Sequence, residues 1–422
     1  MPALAPSRIV QTSPSSDSVL IIGAGPAGLS MAAALADIGI ASTVLEQAPL
    51  AAIAEPTEDG REIALTHRGV GVLQQLGAWQ DLPPEAISPL KAAQVFNGQD
   101  ARFLGFTPEG QGTDRLGHLV PNHWLRQVAW QGVQKRKDRV TLRCGTRVQK
   151  LSLLAQGGHA AEVVLEDGER LAAPLVIAAD SRFSASRRLA GIGADMLDFG
   201  RSVILCRMHH ELPHQHTALE CFHHGHTMAW LPLQEHLASL VLTVNADEAQ
   251  GLLDLDDDAF LAWVQTHSQD RLGTLRLAGP RHFYPLVATY ARRFVARRFA
   301  LIGDAAVGMH PVTAHGYNFG LYGVQTLARE LQMARRHRAG CDLGEAVALE
   351  RFEREHRRAT RSIYLGTNAV VKLFTDERPL ARALRQGVLQ GAAHLPPLKA
   401  LISQQLTGKG PSLLRQIRAL AG

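Results

Sequence analysis

Apolar and polar positions change rhythm several times along this chain. Val19 to Ile22 form a continuous apolar run, as a strand buried on both faces of a parallel sheet requires. In "SVLIIGAGPAGLSMAAALADIGIASTVLEQ" that run predicts strand, tight turn, helix and second strand. Pro26 stands where a first helical residue belongs, and Gly39 where a C-terminal cap does. Helical spacing returns in "THRGVGVLQQLGAW", ended by Gly77, and in "NHWLRQVAWQGVQKR", where Asn122 is the expected N-cap. Short strands follow in "RVTLRCGTRVQKL" and in "AAEVVLEDGERLAAPLVIAAD", the latter with a hairpin turn at Asp167-Gly168. "SVILCRM" and the pair within "TMAWLPLQEHLASLVLTVNA" extend the strand-rich region, "ARRFALIGDAA" is another buried strand, and helix dominates from Tyr317 onward.

These elements predict an α/β protein in which a nucleotide-binding domain is interrupted by a sheet-rich one. The expected division gives residues 19–80, 115–195 and 290–340 to the nucleotide-binding domain and 81–114 with 196–289 to a substrate domain. Residues 341–422 form a helical C-terminal region, and 1–18, rich in proline and serine, form a disordered tail rather than a signal peptide. A chain of 422 residues with 46% hydrophobic and 20% charged positions is an ordinary globular protein. Its apolar runs are too short to span a membrane. Four cysteines, Cys144, Cys206, Cys221 and Cys341, lack CxxC pairing and suit a reducing cytoplasm.

Charge refines this picture. Of the net +5, residues 351–422 carry thirteen Lys and Arg against four Asp and Glu, so the remainder is net negative. A basic C-terminal arm fits a solvated helical face, an oligomer contact, a lid, an acidic partner or an anionic membrane surface. Nucleic acid is not expected, because no zinc-finger, helix-turn-helix or RNA-binding signature accompanies the charge.

Chemistry concentrates at two glycine-rich stretches. Gly23, Gly25 and Gly28 form GxGxxG between a strand and a helix. The first allows the turn, the second lets backbone approach a pyrophosphate, and the third lets helix pack on strand. Ala27 belongs to the same expected contact set. Glu46, with Gln47 beside it, ends the next strand where a carboxylate accepts ribose hydroxyls. That unit alone does not separate NAD from FAD. "GDAAVGMHPVTAHGYNFGLYG" does: Gly303-Asp304 ends a buried strand, where Asp304 can accept bonds from the polyol of FAD. The helix beginning near Gly316 and Asn318 would aim its N-terminus at the flavin ring, with Pro311 in the intervening loop. A third motif, "LVIAADSRFSASRRLAGI", places Asp180, Ser184 and Arg187 after a strand.

With these motifs the chain resembles the single-component aromatic hydroxylases of the para-hydroxybenzoate hydroxylase type, and more closely the ubiquinone-biosynthesis ring hydroxylases. The resemblance runs from about Val19 to about Phe374 and departs at Ser181, Val307 and Ala314-His315-Gly316, where the family usually has Gly, His and Gly-Gln-Gly. It implies a tightly but non-covalently bound FAD, with Arg61 beside the cofactor and Arg126 near its pyrophosphate. It also implies transient NADH or NADPH along a groove shared with Arg61 and Asp180, and dioxygen as co-substrate. His315 would be the catalytic-side polar contact. The implied substrate is an aromatic ring, polyprenylated on the way to ubiquinone, handled in the cytoplasm or peripherally at the inner face of the membrane, with a biosynthetic complex as a further partner. Alternatives are a soluble aromatic metabolite, reduction of isoprenoid double bonds, and a non-catalytic flavoprotein subunit. "HHELPHQHTALECFHHGH" holds seven histidines and Cys221, yet no metal is expected: if its two arms pair as strands, successive histidines alternate between faces.

Overall fold

The computed structural model describes residues 18–98, 102–109, 112–155, 158–223, 225–309, 315–337, 340–375 and 378. Pro311 and His224, and most of the segment proposed as a disordered tail, lie outside them; the first strand already begins at Ser18.

Five strands form a parallel sheet in the order Phe299–Leu301, Leu175–Ala178, Ser18–Ile22, Ala41–Leu45 and Val140–Arg143, with Val295–Ala296 antiparallel at one edge. Its inner strands are apolar on both faces because helices cover them. The helix Pro26–Asp37 packs against both Asn122–Gln134 and Gly316–His337, and the last of these against Ala346–Thr375. Pro26 opens the first helix, and beyond its end the Gly39 amide, at φ +79°, donates to the Ala36 carbonyl.

The other large sheet is built around the 17-residue strand Ala194–His210. Its nine strands include His282–Ala291, Leu237–Asn245, Thr227–Pro232, Thr217–Phe222 and Ala92–Asn97, and Val307–Gly308 closes one end. Residues two apart face the same way. Ile204, Cys206 and Met208 therefore join Leu240, Leu242, Phe260 and Val264 beneath the helix Asp257–Ser268. Val203 and Leu205 point to the opposite face, where they meet Leu286, Val241, Phe199 and Tyr284. A small sheet of Glu62–Leu65, Gly117–Pro121 and Ser88–Leu90 adjoins, and a three-stranded one carries the expected turn, with Gly168 at φ +87°.

One local expectation needs correcting. Asn122 does not cap its helix: Pro121 is the N-cap and Asn122 Nδ2 donates to Asp59 at 2.7 Å. The two histidine arms do not pair with each other. Thr217–Phe222 pairs with Thr227–Pro232 and, in parallel, with Ala92–Asn97, while the strand ending at His210 pairs elsewhere. His210, His214 and His236 instead bond backbone carbonyls, and no group of three or more His, Cys, Asp or Glu among the described residues is arranged to hold a metal.

Candidate active site

Because the central strands are parallel, their carboxyl ends share one edge, where open α/β sheets bind ligands. Ile22 is level with Ala178 and Leu45, and Ala178 with Leu301. Glu46, Gly23, Asp180 and Asp304 therefore follow four successive strand ends. At ~4.8 Å per strand that row crosses roughly 14 Å, an extended site with one carboxylate at each end.

The glycines of the first turn are required by backbone contact. Gly23 has φ +104°, and a Cβ there would lie 2.7 Å from the Ala179 carbonyl oxygen. A Cβ at Gly28 would lie 2.0 Å from the Gly23 oxygen. At Gly25, the helix N-cap, a Cβ would meet nothing within 4 Å. Open space there lies over unpaired helix amides and their partial positive charge, which suits a diphosphate. Ala27 sits where three segments converge. Its Cβ would be 3.0 Å from a Cβ on Gly303, and 3.6 Å from one on Gly320. These small residues let the first helix, the Asp304 turn and the Gly316–His337 helix approach one another.

Glu46 binds both sides of its turn: Oε2 accepts from the Ala24 amide at 2.7 Å and Oε1 from Ala48 at 2.8 Å, and each oxygen retains a lone pair for a hydroxyl donor. Gln47 is exposed beside it. Asp180 closes its own loop, accepting from Ser184 Oγ at 2.5 Å and from the Ser186 amide at 3.1 Å, while Ser184 caps the Arg187 amide. Buried Arg187, its pKa lowered by desolvation, donates to the carbonyls of Ala305 and Arg182. Arg182 in turn reaches Asp304 Oδ2 at 3.2 Å and the Val287 carbonyl at 3.0 Å. The middle motif is thus a clasp joining the Asp180 loop, the Asp304 turn and the large sheet.

Arg126 donates to the Ala52 carbonyl at 3.1 Å. Arg61 pairs with Asp59 and lies over the Tyr284 ring, 5.3 Å from its centroid. Burial opposes its charge, but Asp59 holds its pKa above the usual guanidinium value, and Tyr284 and Asp304 are near enough to add to this. His315 is buried just before its helix, with its ring centroid 5.5 Å from that of Phe319. Asn318 is turned toward protein. Its Oδ1 accepts from the Thr66 amide and hydroxyl at 3.0 and 3.1 Å, and Nδ2 donates to the Ala64 carbonyl at 2.8 Å. These bonds let Asn318 position the start of the helix against the Ala64–Thr66 segment.

Sequence reasoning missed the junction between the large sheet and the small sheet that contains Glu62–Leu65. Arg207, on the helix-free face of the large sheet, pairs with Glu58 at 2.6 Å and Glu62 at 2.7 Å. The Glu62 side chain is fully buried, Oε2 has no partner, and desolvation raises its pKa although Arg207 opposes the shift. Tyr284 donates to the Asp59 carbonyl at 2.9 Å. No short motif announces these pairs, because Arg207 lies 145 residues from Glu62.

Open space at Gly25, carboxylates at both ends of the strand row and a close-packed Asp304 turn fit FAD. The chain belongs to the FAD binding domain family, whose model matches residues 17–362. It is 44% identical over 394 residues to the ubiquinone hydroxylase UbiM of Neisseria meningitidis, covering 92% of this chain and 84% of that one. Against the ubiquinone hydroxylase UbiL of Rhodospirillum rubrum identity is 34% over 408 residues, covering 95% and 92%. Among solved structures, P. aeruginosa PqsL has a TM-score of 0.72 at 21% identity, over 86% of this chain and 98% of that one, which supports the fold. The protein is an FAD-dependent monooxygenase.

Proposed function

We propose that this monooxygenase hydroxylates the aromatic ring of a ubiquinone precursor, using NADH or NADPH and dioxygen. Family membership supports the flavin chemistry, and the names of the relatives support the pathway. One structural observation carries the substrate reading. The strand Val307–Gly308 leaves the Asp304 turn and joins the large sheet, whose helix-free face buries Val203, Leu205 and Leu286 with Val241 and Tyr284 packed against them. That strand ties the Asp304 turn to an apolar layer of the large sheet, which supports a substrate bearing a prenyl tail.

Bound FAD would supply the oxygen-transferring chemistry. Gly23, Gly25 and Gly28 would admit its pyrophosphate, with Arg126 nearby. Glu46 and Gln47 would meet the ribose, and Gly303-Asp304 the ribityl chain. Gly316 and His315 would border the ring system, with His315 as the polar group nearest the substrate. Asp180 and Arg61 would flank the approach of the reductant. The protein's tasks are orienting the ring and excluding water. No helix among the described residues is long and apolar enough to cross a membrane. A cytoplasmic protein resting on the inner membrane face, or held in a biosynthetic complex, belongs to the same reading.

The test measures NAD(P)H oxidation, oxygen uptake and product with a prenylated phenol, a soluble phenol and no phenol. Coupled turnover with the prenylated phenol is expected. Coupled turnover with the soluble phenol alone would move the substrate to a soluble metabolite. Turnover without oxygen would replace hydroxylation by reduction.

A further inference from the structure

We propose that the helix Ala346–Thr375, with the start of the long strand Ala194–His210, forms a docking surface for an anionic phospholipid membrane. This deepens the membrane-surface part of the reading above, and its test reads vesicle binding alone. The proposal therefore stands or fails apart from the choice of ring substrate.

A groove of about 370 Å³ lies between Asp195–Leu197 and the helix positions Tyr364, Leu365, Asn368, Ala369 and Lys372. A second concavity of about 160 Å³ continues it past Arg292, Arg357 and Arg361, sharing Asp195, Tyr364 and Leu365. Apolar side chains are unusually open here: Met196 is 49% and Leu365 56% exposed. Such large apolar residues standing together at a groove mark an interaction site.

The charge around the groove selects the partner. Arg354, Arg358, Arg361, Leu365, Ala369 and Lys372 are all exposed, at intervals of three, four and seven that put them on one stripe of the helix. Between Arg351 and Lys372 there are two carboxylates, and both are engaged elsewhere: Glu353 accepts from the Phe294 amide and Glu355 pairs with Arg329. On the strand side, Asp195 is paired with Arg292 at 3.0 Å. The stripe therefore offers cations flanking an apolar centre. That combination matches an interface of anionic headgroups above acyl chains. A protein partner would have to supply the same anionic and apolar pattern from its own surface. The sequence beyond Arg378 holds Arg382, Arg385, Lys399, Lys409, Arg415 and Arg418 and no acidic residue.

The test is flotation of the full-length, FAD-loaded protein with phosphatidylcholine vesicles, with and without phosphatidylglycerol. Flotation with the anionic vesicles alone is expected, weakening as salt rises. Arg361→Gln and Lys372→Gln should each lower partitioning about fivefold, the equivalent of roughly 1 kcal/mol per cation. Met196→Ser/Leu365→Ser should lower it further while leaving the flavin spectrum unchanged. Absence of flotation, or equal flotation of every variant, would overturn the proposal. Hydrogen exchange separates the other occupants. Protection of residues 361–372 gained only with anionic vesicles supports the membrane. The same protection present without vesicles and unchanged by them would assign the groove to residues 379–422. Loss of a dimer in sedimentation of the Leu365→Ser variant would assign it to a second copy. Either result overturns the membrane assignment.

Discussion

Asn318→Ala tests whether the Gly316–His337 helix is positioned by the protein itself. The substitution removes an acceptor for the Thr66 amide and hydroxyl and the donor to the Ala64 carbonyl, all buried or nearly so. Thr66 keeps its bond to Tyr322, but the Thr66 amide and Ala64 carbonyl lose these partners. Each orphaned buried group costs about 1–3 kcal/mol, so the expected loss from the two is about 2–6 kcal/mol. That is a large share of ordinary folding stability. The assay is urea unfolding of FAD-free protein followed by far-UV circular dichroism, beside FAD titration by flavin fluorescence. A lower urea midpoint without FAD is expected, with a coupling energy to Thr66→Val of about 0.5–3 kcal/mol. If the FAD-free protein were unchanged while FAD affinity fell tenfold, Asn318 would be a cofactor contact and the positioning argument would be wrong.

Gly28→Val places a branched side chain where even a Cβ would be 2.0 Å from backbone, so purified variant should contain no FAD; a normal flavin spectrum would refute the close-contact reading. Arg207→Met strands the buried Glu62 carboxylate and should cost about 3–5 kcal/mol, with Glu62→Leu restoring part of it in the double variant. A melting temperature no lower in the single variant than in the double would contradict this. His356 is buried against Phe294 and Phe352, and desolvation lowers its pKa to about 3. Its folded pKa lies below the unfolded value near 6.5. The stabilisation is therefore full above 6.5 and is lost as pH falls toward 3, by about 2 kcal/mol between pH 7 and 5. His356→Met should flatten that slope in urea titrations at the two pH values; identical slopes would remove His356 as the cause.

Much of the carboxyl edge of the parallel sheet was legible because backbone geometry forces residue choice there. Gly23, Gly28 and Glu46 occupy positions at which a particular turn, a close packing or a strand end permits few residues. The Asp304 turn was legible for the same reason, since a buried strand ending in Gly-Asp is a local signal. Long-range partners were not. Asn318 meets Thr66 across 252 positions, and Asn122 looked like a cap because its partner Asp59 is remote in sequence. The strand Thr217–Phe222 takes a parallel partner at Ala92–Asn97, more than a hundred residues earlier, which no local spacing announces. Arg187 shows the intermediate case: its motif was visible, but its work as a clasp depends on the Ala305 carbonyl.

We propose that the strand edge from Glu46 to Asp304 holds the flavin at which an aromatic ring is hydroxylated. The most direct test supplies FAD-loaded protein with NAD(P)H, a prenylated phenol and isotopically labelled dioxygen, and weighs the product. One labelled oxygen atom on the ring is expected for each nicotinamide oxidised. A product carrying oxygen from water, or nicotinamide oxidation that releases only hydrogen peroxide, would contradict it.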